Sequence, residues 1–217
     1  MLDGIMRRVI DRPLAIAGRR LAAAGVPADA VTLAGFAAGL TGAAAVVLRL
    51  DVLAAVLFLA GRLADGLDGA IARAGRRTER GGFLDIVCDF AFYGAFPLAF
   101  ALRDPDANAL AAAVLLFSFY VNGATFLAYA AVAARRGWET EARGAKSIYF
   151  TAGLAEGTET ILAFLLMLVL PQHFSVIAYA FAAMTLATAV SRALLGWRDF
   201  RDVPQRAASD LDDHARP

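Results

Sequence analysis

Lysine is nearly absent from this chain: Lys146 is the only one, and arginine carries the rest of the positive charge. Acidic and basic residues almost cancel, at 20 and 21, and neither sign forms a long tract, which argues against nucleic acid as a partner. Cysteine occurs once, at Cys88, so an internal disulfide and a multi-thiolate metal site are both excluded. The only histidines are His173 and His214, so any metal held here is expected to be held by carboxylates. Charged residues make up only 19% of the chain and hydrophobic ones 59%, a balance that soluble domains do not show and membrane proteins do.

Residues 2–24 set Leu2, Ile5, Met6, Val9, Ile10, Leu14, Ala17 and Leu21 at helical spacing against Arg7, Arg8, Arg12, Arg19 and Arg20. That pattern predicts an amphipathic helix over 1–24 lying on a membrane surface. Pro13 is expected to kink or divide it. Asp11 and the arginines interrupt any apolar run of the signal-peptide kind, so the first span is expected to act as the membrane address. Asp29 is the expected N-cap of the next helix.

From Ala30 to Leu48 no charge occurs, close to the roughly 20 residues a bilayer requires. Two later uncharged stretches, Val52–Gly61 and Phe90–Leu102, are too short to cross alone. Each must borrow its charged end, which extends the second span to 52–72 and the third to 81–102. Further spans are expected near 107–134, 147–170 and 174–196, giving an all-α integral membrane protein with six transmembrane helices in one domain over 1–202. The segment 203–217 reads as a polar, disordered tail. Arginines cluster in the N-terminal helix, in the turn from Arg73 to Arg80, in 135–146 and in the tail, whereas the opposite loops hold only Arg49 and Arg103. The positive-inside rule then places both termini on the cytoplasmic side of the inner membrane.

Borrowing those ends draws Asp65, Asp68, Asp85 and Asp89 below the membrane surface, on the order of 6 to 18 Å in from the arginine-rich turn. Asp65 and Asp68 share one helix face and Asp85 and Asp89 another, so a helical hairpin centred near Arg77 brings the pairs to matched depths. Cys88 is expected to point off the Asp85/Asp89 face. Four oxygen-rich side chains from two antiparallel helices suit hard cations such as Mg²⁺ or Mn²⁺. Three uses are open: structural ion pairs with Arg62, Arg73 and Arg76; a divalent-cation transporter; and two-metal phosphoryl chemistry with one carboxylate free to take a proton. The apolar far halves of both spans favour a one-sided pocket over a pore. Gly66, Gly69, Gly81 and Gly82 suit close approach by a phosphate-bearing ligand.

Asp65-x-x-Asp68-Gly69-x-x-Ala72-Arg73 followed by Gly81-x-x-x-Asp85-x-x-x-Asp89 resembles the signature of the CDP-alcohol phosphotransferases. The interval from Arg73 to Gly81 is one residue shorter than the family's usual spacing. Ala28-Asp29-Ala30-Val31-Thr32 is similar to the family's Pro-Asn-x-x-Thr motif, with Ala28 and Asp29 in place of Pro and Asn. The resemblance implies a phospholipid-synthesising homodimer that takes CDP-diacylglycerol or a similar CDP-linked donor, transfers the substituted phosphate to an alcohol and releases CMP. It further implies that Asp65, Asp68, Asp85 and Asp89 hold two divalent ions, that Asp89 is also the base, and that Gly69, Ala72, Arg73, Gly81 and Thr32 form the CDP site. For the acceptor the candidates are Lys146, Glu156 and Glu159, which share the expected side of the membrane with the aspartates; an acidic lining favours a hydroxyl-rich or cationic alcohol.

Overall fold

The computed structural model describes residues 3–137 and 157–201, and all the regular structure among them is helical. Seven helices follow in order: α1 (Asp3–Ala23), α2 (Ala28–Val47), α3 (Asp51–Ala74), α4 (Glu79–Arg103), α5 (Pro105–Arg135), α6 (Gly157–Val169) and α7 (Phe174–Asp199), with a 3₁₀ turn at Pro171–His173 before α7. Lys146, Glu156, the first part of the expected fifth span and the tail from 203 lie outside the described residues.

Helices α2, α4, α5 and the stretch Pro171–Asp199 are long and apolar enough to cross a membrane, which makes this an integral membrane protein. Helix α3 has the length, at 24 residues, but carries Arg62, Asp65, Asp68 and Arg73 along it. Of the expected fifth span, the described part is the 13-residue α6.

Helices α3 and α4 form the expected hairpin, joined by Gly75-Arg76-Arg77-Thr78. Thr78 caps α4 by accepting a hydrogen bond from the Gly81 amide. At the far end of the hairpin Arg103 closes an ion pair with Asp51, its Nη2 3.1 Å from Asp51 Oδ2, while Arg49 donates to the Arg103 carbonyl. The start of α3 is thereby tied to the end of α4.

Small residues let α2 press into this hairpin. A Cβ on Gly39 would fall 2.2 Å from the Phe92 ring, and one on Gly35 2.7 Å from Ala64 Cβ, so both positions exclude any larger residue without a shift. Behind them lies an aromatic layer. Phe58, Phe92, Phe96 and Phe164 are each 0% exposed. Phe58 stacks on Phe164 at 5.6 Å between centroids and meets Phe96 edge-on at 5.1 Å. Such ring pairs add about 0.5–1.5 kcal/mol each beyond the area they bury.

Two local expectations are corrected. Helix α1 is not divided at Pro13 but runs through it as one element, its next turns packed on α3: a Cβ on Gly18 would fall 2.6 Å from Ala70 Cβ, and Leu14 lies against Gly66. Asp29 is not the N-cap of α2. The helix begins at Ala28 after an extended Pro27, and the Asp29 carboxylate, in the first turn, is taken by Arg80 at 2.6 Å. On the other side of the bundle α5 packs on α7, where Arg192 donates to the Asn122 side chain at 2.9 Å and Tyr129 to Asp199 at 2.9 Å.

Candidate active site

One pocket opens between α2, α3 and α4. Its lining includes Thr32, Arg62, Asp65, Asp68, Asp85, Cys88 and Asp89, with Phe92 from the aromatic layer. All four aspartates named from the sequence therefore face one space. Three of them converge further: Asp65, Asp68 and Asp85 each offer an oxygen within 4.8 Å of the others. That spread is one that oxygens about 2.1–2.4 Å from a shared cation can span.

Asp89 lines the same pocket but is not one of these three. Arg62, on α3, holds Asp89 Oδ1 at 2.8 Å and also approaches Asp65 Oδ2 at 3.6 Å. The same Nη1 donates to Tyr93 Oη at 3.2 Å. Of the three arginines considered as ion-pair partners, Arg62 is the one seen doing this. Arg73 instead folds back over Gly69, where a Cβ would lie 3.2 Å from its Nη1. Glycine at position 69 leaves the room that the guanidinium occupies.

Thr32 hydrogen-bonds Asp68, its hydroxyl 2.5 Å from Oδ2, so α2 orients one member of the cluster. Asp68 is 5% exposed, the most buried of the carboxylates. Gly81 sits in the first turn of α4 beside Asp29, whose Oδ1 would be 3.1 Å from a Cβ there. Ala72 lies in the last turn of α3, half-buried. Cys88 corrects an expectation: three residues after Asp85, it lies on the pocket side and is buried. Glu159 occupies the first turn of α6, half-buried, whereas Lys146 and Glu156 lie outside the described residues.

The donor set is all carboxylate oxygen, with no thiolate and no imidazole among the pocket's aspartates, and it fits a hard divalent cation. The chain matches the description CDP-alcohol phosphatidyltransferase over residues 26–193, which takes in the whole of this site. It belongs to the CDP-alcohol phosphatidyltransferase family. As such it is a transferase of substituted phosphate groups, and the three-aspartate cluster fits the divalent-metal cofactor of the family.

Similar proteins agree with that assignment. The chain is 40% identical over 199 residues to the inner membrane protein YnjF of Escherichia coli, covering 92% of this chain and 91% of the relative. It is 35% identical over 85 residues to an archaetidylinositol phosphate synthase of Pyrococcus horikoshii, 39% of this chain and 45% of that one. Phosphatidylinositol phosphate synthase from Mycobacterium tuberculosis, with CDP-DAG bound, superposes with a TM-score of 0.60 at 25% identity, over 86% of this chain and 94% of that one. The same enzyme with manganese and citrate gives 0.59 at 25%, over 85% and 88%.

The sequence names Arg62 as an ion-pair partner of the aspartates but not which of them it meets, Asp89 at 2.8 Å and Asp65 at 3.6 Å. Its charge inside an apolar run, three residues before Asp65, was the available signal.

Proposed function

We propose that this protein transfers a phosphatidyl group from CDP-diacylglycerol to the hydroxyl of an alcohol in phospholipid synthesis, with release of CMP. The observation that carries this reading is the convergence of Asp65, Asp68 and Asp85 at one end of the α3–α4 hairpin, within a chain of this family. The donor is supported by the CDP-DAG bound to the Mycobacterium tuberculosis neighbour. It is supported also by the exposed apolar side chains Leu63, Phe83, Ile86 and Val87 on the two hairpin helices, a surface suited to acyl chains. The protein is placed in the inner membrane with six spans, an N-terminal interfacial helix and a cytoplasmic hairpin turn. The arginine distribution and the name of the Escherichia coli relative support this. It acts as a homodimer.

Asp65, Asp68 and Asp85, with help from Asp89, would hold two divalent ions, Mg²⁺ or Mn²⁺. Such ions, when bound, neutralise phosphate oxygens and stabilise charge developing on the transferred group. Asp89 takes the proton of the attacking hydroxyl as its oxygen bonds to phosphorus, and the phosphorus–oxygen bond to CMP breaks with the electron pair leaving on CMP. Arg73 supplies a charge-assisted contact to the diphosphate. Gly69, Ala72 and Gly81 shape the CDP site, and Thr32 bonds Asp68 from its edge. Lys146, Glu156 and Glu159 are the candidates for acceptor recognition, and two carboxylates among them suit a hydroxyl-rich or cationic alcohol.

The test is CMP release by purified protein in lipid nanodiscs. CDP-diacylglycerol is offered with glycerol-3-phosphate, serine, inositol phosphate, inositol or choline in turn, each with Mg²⁺, Mn²⁺ or EDTA. CMP is expected with a particular acceptor and none in EDTA; silence with all five acceptors defeats the reading.

A further inference from the structure

The mouth of the pocket carries a charge pair that lies outside the family signature. Asp29, in the first turn of α2, comes one turn before Thr32, and Gly81, in the first turn of α4, comes one turn before Asp85. Thr32 and Asp85 both line the pocket, so Asp29 and Gly81 stand together at the end from which α2 and α4 start. They meet there, since a Cβ on Gly81 would fall 3.1 Å from Asp29 Oδ1. A ligand that enters between the starts of these two helices passes this carboxylate.

The charge matters because of what lies below it. Asp65, Asp68, Asp85 and Asp89 line the pocket, with Arg62 the one cation among its lining residues. A further bare carboxylate above them would repel a ligand that carries phosphate. Where the family's motif has a neutral Asn, this chain has Asp29, and Arg80, fifty-one positions along the chain, supplies the opposite charge. Nε and Nη2 of Arg80 both donate to Asp29 Oδ2, at 3.1 and 2.6 Å. The Arg80 side chain is 84% exposed and that of Asp29 24%, and a pair so exposed adds little to stability. What it changes is the charge that an entering ligand meets.

We propose that Arg80 masks Asp29 at the mouth of the pocket and so sets the affinity for a donor that carries a diphosphate. It is a specificity-determining residue that acts through Asp29 and not by touching the donor. That the donor is a CDP-linked lipid rests on the transferase reading above; the masking does not.

The experiment uses the full chain in phosphatidylcholine nanodiscs and compares the wild type with Arg80→Gln, Asp29→Asn and the double variant. It reads the KM for CDP-diacylglycerol at saturating Mn²⁺, and Mn²⁺ affinity from the free-ion paramagnetic resonance signal. Arg80→Gln leaves the mouth one charge more negative, so KM is expected to rise about fivefold, with kcat within about twofold, while Mn²⁺ binding tightens about threefold. Asp29→Asn shifts both quantities the opposite way, and the double variant returns both to within about twofold of the wild type. Arg80→Lys keeps the charge and the wild-type values. At about 0.5 M salt the differences shrink to less than about twofold. A KM in Arg80→Gln within twofold of the wild type overturns the proposal. So does a raised KM that survives in the double variant, which would assign Arg80 a direct contact with the donor. Weaker Mn²⁺ binding in Arg80→Gln also overturns it, since that is the mark of a merely structural pair. Wild-type protein that binds Mn²⁺ but releases no CMP sinks the transferase reading, and the Mn²⁺ affinities of the four proteins still decide whether Arg80 masks Asp29.

Discussion

The α3–α4 hairpin has two halves made from the same pair of helices and built on opposite principles. Near the turn, Asp65, Asp68, Asp85 and Asp89 alternate with Gly66, Gly69 and Gly81, and the helices enclose a polar space lined also by Thr32 of α2. Toward the other end, Ala54, Phe58, Phe92, Phe96 and Phe100 are each 0% exposed, and the four rings fill the volume. The comparison teaches that the polar half depends on the apolar one. Carboxylates below a membrane surface repel one another and pull in water, and a packed aromatic floor fixes helix separation and stops that water from going further. Arg62 stands at the boundary, its guanidinium over the Phe92 ring and its Nη1 on Asp89.

Exchanging single residues sharpens the contrast, and the largest effect belongs to the polar half. Asp89→Asn is expected to lower kcat about a thousandfold while Mn²⁺ and CDP-lipid still bind; loss of both binding steps instead counts against its role as base. Against the apolar half, on α6, Phe164 stacks on Phe58, and Phe164→Ala is expected to cost about 3 kcal/mol or more in stability, read by denaturant titration in detergent. The Mn²⁺ affinity of the folded fraction should stay at the wild-type level, and a change in it would break the division of labour between the halves. Gly61→Ala tests the boundary. Its new methyl group meets Phe92 Cε2 at 2.6 Å and the Gly35 carbonyl at 3.0 Å, so a loss of about 1–3 kcal/mol is expected together with reduced turnover, since Phe92 supports Arg62. The smallest effect is at the exposed mouth: Arg80→Gln removes the pair with Asp29 from a side chain that is 84% exposed, and stability should move by less than about 1 kcal/mol.

Much of this hairpin was legible before any coordinates. Asp65 and Asp68 interrupt an otherwise apolar run at helical spacing, and the length a span requires extends the expected second and third spans over the aspartates, to bounds within a few residues of α3 and α4. The resemblance in the signature then supplied chemistry that spacing cannot. Contacts between helices were not legible. Asp29 has the chemistry of an N-cap, but Arg80, fifty-one positions along the chain, competes for its carboxylate and wins. Pro13 reads as a break, yet Leu14 and Gly18 are held against Gly66 and Ala70, and that packing carries α1 through it. The sequence points Cys88 off the Asp85/Asp89 face, whereas it lines the pocket, because a four-residue spacing between Asp85 and Asp89 does not say which of their neighbours shares the pocket. Arg62 showed its charge but not its target, since a guanidinium on a long stem reaches partners on either adjacent helix.

The central claim is that Asp65, Asp68 and Asp85 form a divalent-cation site, and Mn²⁺ binding to Asp85→Ala beside the wild type tests it most directly. The account predicts saturable Mn²⁺ binding by the wild-type protein and a loss of affinity of at least about tenfold in the variant, with helix content unchanged. Equal Mn²⁺ affinity in the two proteins would contradict it.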